Sequence, residues 1–444
     1  MSTTTLIDPK ATVLPLLKGS TWPNASEALA QVNALPIPTS KIEAWKYTRV
    51  AKLFNTGYVA PIGDVAVELP ARLEFATIRV VFVNGHYRAD LSDDTKVQKG
   101  MVIDSLHTHL SHGPVKVNYS NIAPINDRFF TAMNGAAPTD GLILLVTKGV
   151  KVESPIHVLH IVTDVQALIQ PRDLIILQEG AEAEVIVEVV SASRLRSMTY
   201  DDSNEDLTGL RSKTYDVSNT LVNSVRESHV GKNARLTIHV LQNAVHSPSM
   251  IGLDGVKIDA NGHFSIDTTT LEGSLVRNEV HVALAGPNAH VELNGVYILN
   301  GTTHCDNHTY IGHDVPDCTS DELYKGLIAE KGTGVFNGKV YVKQDAQRTR
   351  AYQSNANILQ GDDAKVYTKP ELEIYADDVK CSHGCTIGRF DEQGLFYLRS
   401  RGVSEPEAKK MMAHAFIFDV LERISNKDWR EHLAGVIDAK LATL

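Results

Sequence analysis

The sequence predicts a mainly β protein whose core is a parallel β-helix flanked by N-terminal and C-terminal helical regions. Three observations predict it: short β-branched runs that begin near Ile78, a glycine-led motif that recurs through the middle of the chain, and helix signals at both ends.

In chain order, residues 1–75 form the N-terminal helical region. Residues 26–32 are helix formers, and Ile42, Trp45 and Val50 share a face in a second helix capped by Ser40, with Pro36 and Pro38 between the two. Residues 76–400 form the β core. Its first strand is the run from Ile78 to Val83, rich in the β-branched residues that suit a pleated surface. Helical patches interrupt the core at residues 101–109 and 126–134.

The core's repeat is local. Glycine is followed by alanine three residues on and by an aliphatic residue five residues on at Gly180, Gly231, Gly286 and Gly361. The copies lie 51, 55 and 75 residues apart, near multiples of about 25, with weaker echoes at Gly262 with Phe264 and at Gly334 with Phe336. A unit of about 25 residues stacked on itself is a parallel β-helix: glycine permits the corner, the small residue points inward, and the next aliphatic joins a column spaced about 4.8 Å. A β-sandwich with glycine turns is the other architecture the pattern fits.

Residues 401–444 form the C-terminal helical region. Ser404-Glu405-Pro406-Glu407 is a capping box with proline in the first turn, ahead of Met411, Ala415, Phe418 and Leu421 at helical spacing. A second helix runs from Asp428 through Leu433, Val436, Ile437 and Leu441. Helices at both ends have a physical use, because the first and last rungs of a coil stack expose unpaired backbone that a cap or a partner chain must cover.

At 444 residues and 43% hydrophobic content, the chain can bury a large core. Its formal charge of -10, with no basic block, opposes phosphate attraction and argues against nucleic acid. Residues 1–18 carry no basic segment followed by an apolar one, and no stretch reaches the roughly 20 apolar residues that span a bilayer. No membrane association is expected, and the expected location is cytoplasmic. Cys305, Cys318, Cys381 and Cys385 are too few for a secreted disulfide framework and are expected to be thiols.

Chemistry concentrates near Cys381-Ser382-His383-Gly384-Cys385. On an extended strand, Cys381 and His383 project from one face about 7 Å apart, and Cys385 joins them if the strand continues. Thiolate and imidazole suit iron, zinc and iron-sulfur clusters, but a cluster takes about four protein ligands, so other residues or a second protein must complete the set. An unliganded thiol and a hydrogen-bonded histidine remain open at this point.

His304, Cys305, His308, His313 and Cys318 offer a second group of donors. Their spacing matches no zinc finger, and alternate members on a strand face opposite sides, which favours packing and surface roles over a solitary zinc or iron site. Asp362-Asp363 and Asp377-Asp378 motivate a β-helical carbohydrate-active enzyme, yet adjacent carboxylates on a strand diverge and read as corner residues. No Walker-type phosphate loop is present.

Residues 368–402, with the Cys381-Ser382-His383-Gly384 core, resemble the SufB/SufD family of the SUF iron-sulfur cluster assembly system in its SufD form. Glu43-Ala44-Trp45-Lys46-Tyr47-Thr48, Tyr324-Lys325-Gly326, Val335-Phe336-Asn337-Gly338 and Gln344 to Asn355 extend the resemblance over nearly the whole chain. SufB-type chains, the alternative within the family, look different where this one reads Cys381-Ser382-His383.

The resemblance implies a right-handed parallel β-helix that is non-catalytic itself, a SufB partner, and a SufC ATPase docked on the C-terminal helices. It implies that His383 lies at the SufB interface and, with Cys381, contributes to a transient iron-sulfur cluster shared with SufB. A homodimer is expected when the chain is expressed alone. Cys385 stands where the family has a small residue, and its role is left open, as is the use of a flavin.

Overall fold

The computed structural model describes residues 8–55, 57–93, 98–163, 166–191, 219–244 and 248–444. The chain winds between two facing sheets of ten strands each, so every turn of the coil lays one strand on each sheet. The first sheet ends with Arg235–Gln242, His263–Thr270, His290–Leu299, Thr319–Ala329, Thr349–Gln360 and Val379–Gly388, all parallel. The second ends with Ser249–Ile258, Leu275–Leu284, His304–His313, Thr333–Val342 and Lys365–Ile374, also parallel. This is the parallel β-helix predicted, with helices at both ends, and the sandwich alternative falls because strands adjacent in space are one coil apart in sequence.

The true period is longer than the sequence suggested. In-register residues on the first sheet are separated by 28 (Arg235 to His263), 27 (His263 to His290), 29 (His290 to Thr319), 31 (Thr319 to Arg350) and 30 (Arg350 to Lys380) residues. The glycine motif marks corners on both sheets rather than one repeating position. Gly231 and Gly286 precede first-sheet strands, whereas Gly361 precedes the second-sheet strand Lys365–Ile374. Gly180 is shifted by two, since Ala183 pairs with Leu236 and not with Ala234.

Between the sheets lies an apolar core of Val80, Val158, Ile238, Ile266, Phe264, Leu293 and Phe336, all buried. The outer faces are covered as well, giving four layers. The N-terminal segment packs Val32, Trp45, Val50 and Phe54 toward Leu168, Leu221 and Ile251. The C-terminal helices Glu405–Glu422 and Lys427–Leu441 lay Ile417, Leu421, Trp429, Leu433 and Ile437 over Leu241, Val296, Ile298 and Leu327. Lys325 Nζ donates to the Phe416 carbonyl at 2.7 Å and Lys440 Nζ to Glu272 at 2.7 Å, which fixes these helices on the first sheet.

Several local expectations hold and three change. Helix Ala25–Ala34 forms, and Ser404 caps its helix by accepting from the Glu407 N–H at 3.4 Å. The second N-terminal helix does not form: Glu43–Trp45 and Ala51–Phe54 are separate single turns, and the segment spends its apolar residues on the sheet rather than on a helical face. Residues 101–109 are not helical throughout, because Met101–Ser105 pairs antiparallel with Leu142–Val146 before the turn Leu106–His109. Glu392–Ser400, inside the expected β core, is a helix capped by Asp391 with none of its residues buried.

Candidate functional site: the open end of the coil

One interior column shows how the site is built. Ile78, Ile156, Val185, Ile238, Ile266 and Leu293 stand in register on successive first-sheet strands, and the same column then continues as Glu322, Gln353 and His383. The inside of the coil thus turns from aliphatic to polar over its last three rungs. The neighbouring columns also end on donor side chains: Ser320 and Ala351 lead to Cys381, and Tyr324 and Asn355 lead to Cys385.

Cys381, His383 and Cys385 therefore share the interior-facing side of Val379–Gly388, as strand alternation requires. Cys381 is half-buried beside Val379 and Ala351, and burial pushes its thiol up, so it is protonated at neutral pH and must lose a proton to bind metal. His383 and Cys385 are exposed even though they face inward, because no further rung among the described residues covers them.

Beneath this mouth lies a hydrogen-bonded interior. Gln353 Nε2 donates to Glu322 Oε2 at 2.6 Å, and Glu322, 1% exposed, is pushed up to about 7 because burial outweighs that bond. The Tyr297 hydroxyl donates to Asn357 Oδ1 at 2.5 Å, and Asn357 Nδ2 donates to Asn355 Oδ1 at 2.7 Å. Glu322 Oε1, Gln353 Oε1 and the hydroxyls of Thr309 and Thr368 are buried without a hydrogen-bond partner among the described residues. A protonated Glu322 supplies one missing donor, which agrees with its raised value.

Glycines make room for these groups. A Cβ on Gly338 would meet Gln353 Nε2 at 2.2 Å, and one on Gly326 would meet Asn357 Oδ1 at 2.4 Å. The Tyr324 and Phe336 rings pack 5.1 Å apart beside them. Three motifs that looked unrelated in the sequence, around Tyr324, Phe336 and Gln353, thus converge under His383. Glu322 was missed at the sequence level, and Gln353 was noticed only as part of a motif. The signal that finds both is polar residues 31 and 30 residues apart in an otherwise aliphatic column.

The two ends of the coil differ. The first rungs are closed by the antiparallel strands His86–Tyr87 and Met101–Ser105. Among the described residues, Val379–Gly388 and Lys365–Ile374 are the last strands of their sheets, with one edge each unpaired and with Ile374, Tyr375 and Ile387 exposed along them. Such an edge is a template for strand addition.

The donors between His304 and Cys318 do not come together. Cys305 and His313 face the interior, where burial pushes the thiol up to about 12 and the imidazole down to about 4. His304 and His308 face the N-terminal segment, flanking Asp306, which is held well below the usual carboxylate range by Arg277, His308 and Thr48 against its burial. Cys318 donates to the Gly286 carbonyl at a corner. Both acidic pairs lie in turns between strands.

A coil of parallel rungs with one closed and one open end, carrying thiol and imidazole groups at the open end, has the form of a scaffold-type protein. The chain belongs to the SufBD family of the SUF iron-sulfur cluster assembly system. Residues 160–416 match the model of the SUF system FeS cluster assembly SufBD core domain, and residues 23–158 match the SufBD protein N-terminal region.

Among its relatives, the iron-sulfur cluster assembly protein SufD of Escherichia coli is 29% identical, over 94% of this chain and 93% of that one. The SufD of Bacillus subtilis is 23% identical over 94% and 92%, and an iron-sulfur cluster assembly SufBD family protein of Synechocystis is 27% identical over 88% and 85%. The SufD-type resemblance read from residues 368–402 is borne out. Among the described residues, no helix is long and apolar enough to cross a membrane.

Proposed function

We propose that this chain is the SufD half of a two-coil platform, in which the open end at Val379–Gly388 and Lys365–Ile374 abuts the homologous SufB. His383, assisted by Cys381, gives ligands to an iron-sulfur cluster that is the cargo of the complex, and SufB supplies the remaining ligands. The single observation that carries this reading is that His383 faces the interior of the coil and is nevertheless uncovered, at the end of a column whose last rungs are polar. A next rung from another chain would enclose it.

The same reading divides the chain into an N-terminal helical region (1–75), the β core (76–400) and a C-terminal helical region (401–444) on which the SufC ATPase docks. Met411 and Phe418, seven residues apart on one exposed helix face, support that docking. The chain has no turnover of its own, acts in the cytoplasm, and when expressed alone pairs with a second copy through the edge meant for SufB. The test is His383→Ala in an assembly reconstituted from the three subunits: the variant chain folds and assembles, and cluster formation drops. Undiminished cluster formation removes His383 from the site.

A further inference from the structure

A second group of metal-binding side chains lies on the outer face of the first sheet, away from the open end. His263 and His290 are in-register partners on adjacent strands, and Glu292 is two residues beyond His290 on the same face. Their donor atoms all lie within 4.8 Å of one another, and the three side chains are half-buried. The imidazole rings are 4.5 Å apart, and His290 Nε2 is 3.0 Å from Glu292 Oε1.

We propose that His263, His290 and Glu292 bind one divalent first-row transition ion, Zn2+ or Fe2+, with the remaining coordination positions left to water. Two imidazoles and one carboxylate are the donor set that both ions accept. In a tetrahedral site with bonds near 2.0 Å, donor atoms are about 3.3 Å apart. His290 and Glu292 stand near that spacing at 3.0 Å, and a donor atom of His263 lies within 4.8 Å of both.

The surroundings fit a ligand set. Thr319, in register with His290 on the next strand, has its hydroxyl at hydrogen-bond distance from His290 Nδ1. By accepting from Nδ1–H it leaves the Nε2 lone pair for the ion, the outer-shell arrangement that orients histidine ligands. Neither ring nitrogen of His263 hydrogen-bonds within the described residues, so its donor atoms are not committed elsewhere, and its ring lies 4.5 Å from that of His290. Arg423 is engaged by Asp321 and Asn294, which leaves Glu292 to the histidines.

The ion would bridge consecutive coils, joining His263–Thr270 to His290–Leu299, beside the end of helix Glu405–Glu422. This inference stands apart from the role of His383 and does not need a partner chain.

The test uses the tag-free chain carrying Cys381→Ala and His383→Ala, titrated anaerobically with Zn2+ and, separately, Fe2+, and with Co2+ as a spectroscopic probe. The expected result is one saturable ion per chain, with visible Co2+ bands, that disappears in His263→Ala/His290→Ala. Thr319→Val should weaken binding by about 10-fold or more through the outer shell. If the double variant fails to fold, Glu292→Gln provides the comparison and is expected to weaken binding likewise. Failure of all three ions to saturate a single site, or uptake unchanged in whichever of these ligand variants folds, overturns the proposal. Preference for Zn2+ or Fe2+ in direct competition identifies which ion the site takes.

Discussion

Glu322→Gln isolates the polar interior beneath the open end. The Glu322 carboxyl is buried and its pKa is raised from an ordinary 4.5 to about 7. The native state therefore holds a proton between these values that the unfolded chain has released. Its contribution to stability is complete below pH 4.5 and is lost as pH rises through 7, with a total of about 3 kcal/mol from the linkage relation.

Glutamine keeps the shape, cannot ionise, and can still accept from Gln353 Nε2. For a chain of this length unfolding entropy is on the order of 0.9 kcal/mol per degree, so the loss corresponds to roughly 3 °C in melting temperature. The assay is the difference in Tm between wild type and Glu322→Gln from pH 4.5 to 8. Wild type should lose about 3 °C relative to the variant across that range. Parallel pH profiles would refute the argument, because they would mean that Glu322 is ionised in the native interior at no cost.

Trp429→Ala removes a ring that is 1% exposed between the C-terminal helices and the first sheet, and should cost about 3–5 kcal/mol. Limited proteolysis should then cut within helices Glu405–Glu422 and Lys427–Leu441 while the coil stays intact. Asp306→Ala leaves the buried Arg277 guanidinium, stacked 3.8 Å over the Trp45 ring, with Glu279 as its remaining partner. A loss of about 3–5 kcal/mol is expected in a thermal melt, with the N-terminal segment loosening first because Thr48 also bonds Asp306.

What was legible in the sequence follows from the range of the signals. Ser404 with Glu407 is a local cap, and it marks the start of a helix whatever the chain does elsewhere. Strand alternation over Cys381, His383 and Cys385 is also local, and it placed these side chains on one face. The second N-terminal helix does not form because Trp45 and Val50 are apolar for the sake of a sheet that lies more than a hundred residues away in sequence, not for a helical stripe.

The period was read short because the glycine pattern marks corners on both sheets. The column that joins Leu293, Glu322, Gln353 and His383 spans four rungs and becomes visible only once the register is known. The same holds for His263 and His290, which are 27 residues apart and adjacent in space.

The proposed role of His383 is to close an interior that a second chain completes. The most direct measurement is iron and acid-labile sulfide bound per assembly after reconstitution, compared among the wild-type three-subunit complex, the same complex with His383→Ala, and this chain alone. The expected result is a loaded wild-type complex, a depleted variant of unchanged composition, and no cluster on the single chain. A stable cluster held by the isolated chain, or full loading of the His383→Ala complex, would contradict it.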